Sequence, residues 1–146
     1  IEEKFEVNVD LSSKIKNIKI RGKIDRIDSF NGVTRVIDYK TGGAIQQTDL
    51  NIKDYNKIFE DKKYSNIFQL LFYCLAIEKE EKYSFPTESG IISFRNLNNS
   101  PIKTIFPDKT NLVTSEKLKD YKIKLSTLIS EILNINIPFI EKKIEA

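Results

Sequence analysis

The sequence predicts a mixed α/β (α+β) domain, in which a three-stranded antiparallel meander leads a sheet that gains one or two further strands and is flanked by helices. Three observations carry this. The first forty residues alternate apolar and polar side chains, the period of a half-buried strand. Asn31-Gly32 interrupts that alternation with a strong two-residue hairpin signal. Two later segments switch to the 3.6-residue period of an amphipathic helix.

In the first strand Phe5, Val7 and Val9 alternate with Lys4, Glu6, Asn8 and Asp10. Leu11-Ser12-Ser13 reads as a turn. A second strand opens at Ile15 and sets Ile18, Ile20, Gly22 and Ile24 against Lys19, Arg21, Lys23 and Asp25. After the turn at 29–32, Val33 to Lys40 forms the third strand. Thr41-Gly42-Gly43 ends it, and the two glycines permit a sharp exit. Residues 44–63 are polar and predict a long loop with a helical turn near 54–60; long loops in compact domains are often functional.

Tyr64 to Lys79 is predicted as a helix, with Ile67, Phe68, Leu71, Cys74 and Leu75 on its apolar stripe and Ser65 or Asn66 as its cap. Ser89 to Leu97 predicts a fourth strand and Ile102 to Phe106 a short fifth. Thr114 or Ser115 caps a final helix reaching about Leu133, with Leu118, Tyr121, Leu125, Leu128, Ile129 and Ile132 facing the core. Ile137-Pro138-Phe139 stops that helix and is predicted to pack back as a short tail.

With 146 residues, the expectation is one domain spanning 1–146. The net charge of +3, from 24 Lys and Arg against 21 Asp and Glu, permits nucleic acid without arguing for it. A single cysteine excludes, within this chain, a disulfide framework, cysteine-ligated zinc and an iron–sulfur cluster. The absence of histidine excludes Ser-His-Asp triads and His-ligated metals. A metal held by this chain must therefore take oxygen ligands, which suits Mg²⁺, Mn²⁺ or Ca²⁺. No apolar run approaches the roughly 18 residues of a membrane span, and no signal-peptide pattern opens the chain, so an intracellular, cytoplasmic domain without membrane contact is expected. The chain has no Met and opens almost directly into a strand, which predicts a piece excised from a longer protein.

The rest of the chain is organised around 21–43. Side chains two apart in a strand share a face, so Asp38 and Lys40 point the same way as Thr34 and Val36, with Ile37 and Tyr39 opposite. If Asp25 lies at the same level on the adjoining strand, two carboxylates and an ammonium converge. The acid-x-Lys spacing alone carries no signal, since it recurs at Glu2/Lys4, Asp61/Lys63 and Asp120/Lys122. What separates Asp38/Lys40 is its place at the end of a core strand, before Thr-Gly-Gly. In the first helix Gln69 is the only polar side chain between Phe68 and Tyr73, and Gln69 and Tyr73 are i, i+4 neighbours.

Three segments in this order, Gly22-Lys23-Ile24-Asp25-Arg26-Ile27-Asp28, Val36-Ile37-Asp38-Tyr39-Lys40-Thr41-Gly42 and Gln69-Leu70-Leu71-Phe72-Tyr73, resemble the PD-(D/E)XK nuclease superfamily, in its RecB/AddB-like branch of nuclease domains attached to helicases. The resemblance implies a restriction-endonuclease-like mixed sheet and metal-dependent hydrolysis of DNA with Mg²⁺ or Mn²⁺. It implies that Asp25, Asp38 and the backbone carbonyl of Tyr39 bind the metal. Lys40 would orient or activate the attacking water and stabilise charge on the phosphate, and Gln69 and Tyr73 would position Lys40 or a substrate phosphate. It implies DNA and a helicase-like portion of the parent protein, or a helicase subunit, as partners. Two departures stand out. The branch carries a further ligand, a His, on a helix before the meander, and this chain begins too late to include it; weak or absent activity of the piece alone is the expectation. AddB-like members add a four-cysteine iron–sulfur cluster, which Cys74 alone cannot build.

Plainer readings stand beside these. Asp25, Asp38 and Lys40 can be a structural ion-pair cluster, and Gln69 and Tyr73 ordinary helix packing. Arg26 reads as a partner of Asp28 or a nearby carboxylate, Cys74 as a small core residue, and Lys14-Lys16-Lys19-Lys23 and the lysines of 117–124 as solvated faces. A non-catalytic DNA-binding or scaffolding module of the same fold is the alternative function, and a metal-free interaction domain of unrelated fold a third.

Overall fold

The computed structural model describes residues 2–11 and 17–141. The predicted Ser12-Ser13 turn, Ile15, Lys14 and Lys16 lie outside the described residues. Within them the order is β1 (Glu3–Asp10), β2 (Asn17–Ile24), β3 (Arg26–Phe30), β4 (Val33–Lys40), α1 (Ser65–Ile77), β5 (Thr87–Ser93), β6 (Ile102–Lys103), β7 (Leu112–Val113) and α2 (Ser115–Ile132). A five-stranded mixed sheet runs β3-β4-β5-β6, with β7 also on β5, and helices flank it, the arrangement of a restriction-endonuclease-like fold. β3 and β4 are antiparallel, β4 and β5 parallel. A parallel pair needs a long crossover, and 41–86 supplies it with α1 inside.

The meander differs from the expectation in one respect. Its middle strand bends at Asp25, so β2 pairs with β1 as a separate two-stranded ribbon while β3 pairs with β4. The turn between β3 and β4 is the predicted one: Asn31 (φ 51°) and Gly32 (φ 79°) both take the left-handed region that a tight two-residue hairpin requires.

Alternation decides which face is covered. Thr34, Val36 and Asp38 are buried on one face of β4, and on β5 Ser89 lies beside Val36, Ile91 beside Asp38 and Ser93 beside Lys40. α1 covers this face with Ile67, Leu70, Leu71 and Cys74, and Tyr121 of α2 locks on from behind by donating its hydroxyl to the Phe68 carbonyl at 2.9 Å. Burial pushes the Cys74 thiol up to about 12, as befits a small core residue. Two close approaches need glycine. A Cβ on Gly22 would sit 2.4 Å from the Phe5 ring, which lies across it, and one on Gly90 would sit 2.6 Å from the Ile102 carbonyl of β6.

Several boundaries shift. The segment at 44–63 is no open loop: three 3₁₀ turns, Gln47–Leu50, Tyr55–Phe59 and Lys62–Tyr64, bury Leu50, Ile58 and Tyr64, and Ile52 between the first two is buried as well. The last of these turns runs straight into α1, so neither Ser65 nor Asn66 caps it; the cap position is Tyr64, without a side-chain bond. At α2 the expected cap is present, Thr114 accepting from the Lys117 N–H at 3.2 Å. The tail does not pack back: Ile135, Ile137, Phe139 and Ile140 are all exposed.

Candidate active site

The bend at Asp25 shapes the site. Arg26 pairs with Ile37, so Asp25 falls opposite Asp38, one step beyond the last rung of the β3–β4 ladder. With the ladder ended there, the Tyr39 N–H has no strand partner and donates instead to Asp25 Oδ2 at 3.0 Å. Lys40 gives its carbonyl to the Phe94 N–H at 3.0 Å, on the β5 side. Backbone groups alternate along a strand, so those of Tyr39 face the edge where Asp25 stands.

Asp38 is 4% exposed, and Lys40 Nζ lies 2.8 Å from its Oδ2. That contact is an ion pair without hydrogen-bond geometry, and Asp38 Oδ2 accepts no hydrogen bond among the described residues. Burial pushes the Asp38 carboxyl above its ordinary range; Lys40 pulls it down, and the neighbouring Asp25 carboxylate adds to the rise. A buried carboxylate met by a single ammonium, next to a second carboxylate, is the environment a hard cation relieves.

Lys40 is not held by Asp38 alone. Its ammonium also donates to Gln69 Oε1 at 2.9 Å, and the Gln69 amide donates to the Tyr73 hydroxyl at 2.7 Å. One turn of α1 thus holds the lysine from the helix side. Burial raises the Tyr73 pKa, with Gln69 opposing and the Asp38 and Asp25 carboxylates adding to the shift, so its hydroxyl stays protonated.

All six residues singled out in the sequence, Asp25, Asp38, Tyr39, Lys40, Gln69 and Tyr73, meet at this strand end. Asp38 and Lys40 share a face, and Asp25 stands at the level of Asp38 on the adjoining strand, the condition on which the convergence of two carboxylates and an ammonium depends. Among the described residues no third Asp, Glu, His or Cys joins to complete a larger metal cluster. Arg26 takes the structural role expected of it. It binds Asp28 at 2.7 Å, with Arg35 also on Asp28 at 2.7 Å, and it donates to the Tyr39 hydroxyl at 3.3 Å. Sequence reasoning missed what borders the cluster. Ser93 Oγ donates to the Gly43 carbonyl at 3.2 Å and Asn96 Nδ2 to the Ile45 carbonyl at 2.7 Å, fastening the chain after Lys40 to the end of β5. These are contacts between segments fifty residues apart, and no local pattern announces them. Neither Gly42 nor Gly43 has a positive φ, and a Cβ on either would meet nothing within 4 Å, so the exit after β4 does not depend on glycine.

No helix among the described residues is long and apolar enough to cross a membrane. Compared with known proteins, the chain matches over residues 1–143 the family described as the PD-(D/E)XK nuclease superfamily. No curated protein and no solved structure matches it.

Proposed function

This chain belongs to the PD-(D/E)XK nuclease superfamily, and from that premise we propose that it hydrolyses DNA phosphodiesters with Mg²⁺ or Mn²⁺ at the Asp25–Asp38–Lys40 cluster. The observation that carries the reading is Lys40 held between Asp38 and Gln69 beside a second carboxylate.

Asp25 and Asp38 would hold the cation, with the Tyr39 carbonyl on the same strand edge. Two carboxylates suffice for Mg²⁺, which keeps several waters and takes substrate phosphate oxygens as further ligands. Bound there, the cation supplies charge neutralisation and a water of lowered pKa. The chain's own side chains do the rest. An ammonium has three N–H groups; Lys40 directs one toward Asp38 and one to Gln69, and the third is left for the attacking water or a phosphate oxygen. Gln69, fixed by Tyr73, keeps that third group aimed. Lys40 beside the carboxylates offsets part of their repulsion and leaves them the charge a cation needs.

The order of the three motifs supports a RecB/AddB-like assignment, working with a helicase-like portion of the same protein or a helicase subunit. A second reading, a non-catalytic DNA-binding module of the same fold, draws on the absence of a third acidic or His ligand among the described residues. Calorimetry with Mn²⁺ and cleavage of labelled DNA separate the two. Metal binding and metal-dependent cleavage, both lost in Asp38→Ala, support the nuclease. DNA binding with neither metal binding nor cleavage supports the scaffold. Lys40→Ala should abolish cleavage while leaving metal binding in place.

A further inference from the structure

The β1–β2 ribbon is a sheet of its own, yet it reaches the cluster by two routes. Along β2 it ends at Ile24, and the next residue is Asp25. Along β1 it carries Phe5, which stands two side chains removed from Lys40. The Phe5 ring meets Tyr73 edge-on, with centroids 5.8 Å apart and 66° between planes, and packs on Phe72 at 5.5 Å. The Tyr73 hydroxyl accepts from the Gln69 amide at 2.7 Å, and Gln69 Oε1 accepts from the Lys40 ammonium at 2.9 Å. The ring has little freedom. It lies across Gly22, its partner in the ladder, where a Cβ would come within 2.4 Å of it. The strand that carries it is held at both ends: Glu3 accepts from Lys82 and from the Tyr83 hydroxyl, and the Asp10 carbonyl accepts from Ser126 Oγ at 3.0 Å.

A tyrosine on a helix has alternative rotamers, and one neutral hydrogen bond does not select among them by itself. Packing against the ring does. Tyr73 is half-buried, and among the described residues Phe5 is the one aromatic ring packed on it. We propose that Phe5 is a positioning residue for Lys40: its ring fixes Tyr73, Tyr73 fixes Gln69, and Gln69 aims the ammonium. The ribbon then governs both halves of the cluster, Asp25 through the backbone of β2 and Lys40 through the ring on β1. The carboxylate and the lysine thereby keep one relative placement. Phe5 as plain packing would give lost stability, but no effect that depends on the Tyr73 hydroxyl. The proposal rests on the nuclease reading for the rate that Lys40 controls, whereas the placement of Gln69 is read without it.

The test pairs a readout of Gln69 with one of turnover. The first is the Gln69 side-chain amide signal in the NMR spectrum of nitrogen-labelled protein without metal, assigned by its loss in Gln69→Ala. The second is the kinetics of cleavage of labelled DNA with Mn²⁺. Phe5→Ala should shift the amide signal toward its position in Tyr73→Phe. It should lower kcat by about 3- to 10-fold, the range of one aromatic pair, and change KM by less than about twofold. In the Tyr73→Phe protein, which has already lost the hydroxyl, adding Phe5→Ala should lower kcat by less than about 1.5-fold further. Phe5→Leu keeps an apolar side chain on β1 and gives the same comparison where Phe5→Ala does not fold. An unmoved Gln69 signal, or an equal loss of kcat with and without the Tyr73 hydroxyl, overturns the proposal and returns Phe5 to plain packing. A shifted signal in a protein that cleaves no DNA supports the placement of Gln69 by Phe5 and overturns the nuclease reading instead.

Discussion

Gln69 reaches from α1 to the Lys40 ammonium at 2.9 Å and is itself held by Tyr73 at 2.7 Å. The helix therefore aims a lysine that belongs to the sheet. Under the proposed hydrolysis, Gln69→Ala should lower kcat on the order of 10²-fold, as expected when a reacting group drifts by about an ångström. Tyr73→Phe removes only the support of Gln69 and should cost about 3- to 10-fold, one neutral hydrogen bond. Single-turnover kinetics at saturating Mn²⁺ check both. Equal, small effects would mean that Asp38 alone holds Lys40.

Asp25 has a structural duty that can be separated from metal binding. Its Oδ2 accepts the Tyr39 N–H at 3.0 Å where β3 has ended. Asp25→Ala should cost about 1–2 kcal/mol, a half-buried backbone donor left without a partner. Asp25→Asn keeps an acceptor oxygen and should recover most of that stability while losing the charge a cation requires. Urea unfolding of both variants, set beside Mn²⁺ calorimetry, resolves the two contributions.

The Asp28 carboxylate links two arginines and should make stability depend on pH in one direction. Hydrogen bonds from Arg35 hold its pKa below the ordinary range, burial opposes this, and Arg26 reinforces it. A carboxylate with a depressed folded-state pKa stabilises fully above its unfolded pKa of about 3.9, and that contribution disappears as pH falls through the folded value. At pH 7, Asp28→Asn should therefore cost about 2 kcal/mol. The gap from the parent should hold down to about pH 5 and close below about pH 4. A gap independent of pH would assign the loss to packing.

Gly22 makes room for a ring. Phe5 lies across it and packs on Phe72 and Tyr73 with centroids at 5.5 and 5.8 Å, which joins the β1–β2 ribbon to α1. Gly22→Ala should cost about 1–3 kcal/mol by overpacking. In a Phe5→Ala background the same change should cost much less, because the obstacle is gone. Full additivity in the double-mutant cycle would show that the ring is not what excludes the methyl group.

What was legible in the sequence had short-range causes. Strand alternation placed Thr34, Val36, Asp38 and Lys40 on one face, the Asn31-Gly32 turn fixed β3 against β4, and helical spacing put Gln69 beside Tyr73. What was not legible depends on distant partners. Alternation slips at Asp25-Arg26, where the buried Ile24 and Ile27 stand three residues apart, but that slip alone does not say that β2 turns to β1 and β3 to β4; the pairing partners decide it. The two-residue strands β6 and β7 are too short to show a period and owe their form to β5. The 44–63 segment reads as polar, yet its few apolar side chains, Leu50, Ile52 and Ile58, are drawn inward. The tail looks apolar enough to bury, yet its Ile135, Ile137, Phe139 and Ile140 side chains are exposed.

The single-residue bend between β2 and β3 also sets a rule about counting. One residue more or less between Gly22 and Ile27 would exchange inside for outside along β2 or β3, moving either the Phe5 contact or the Asp25 carboxylate to the wrong side. Chain length there is thus specified independently of residue identity: conservative replacements leave the geometry standing, whereas an insertion or deletion dismantles it.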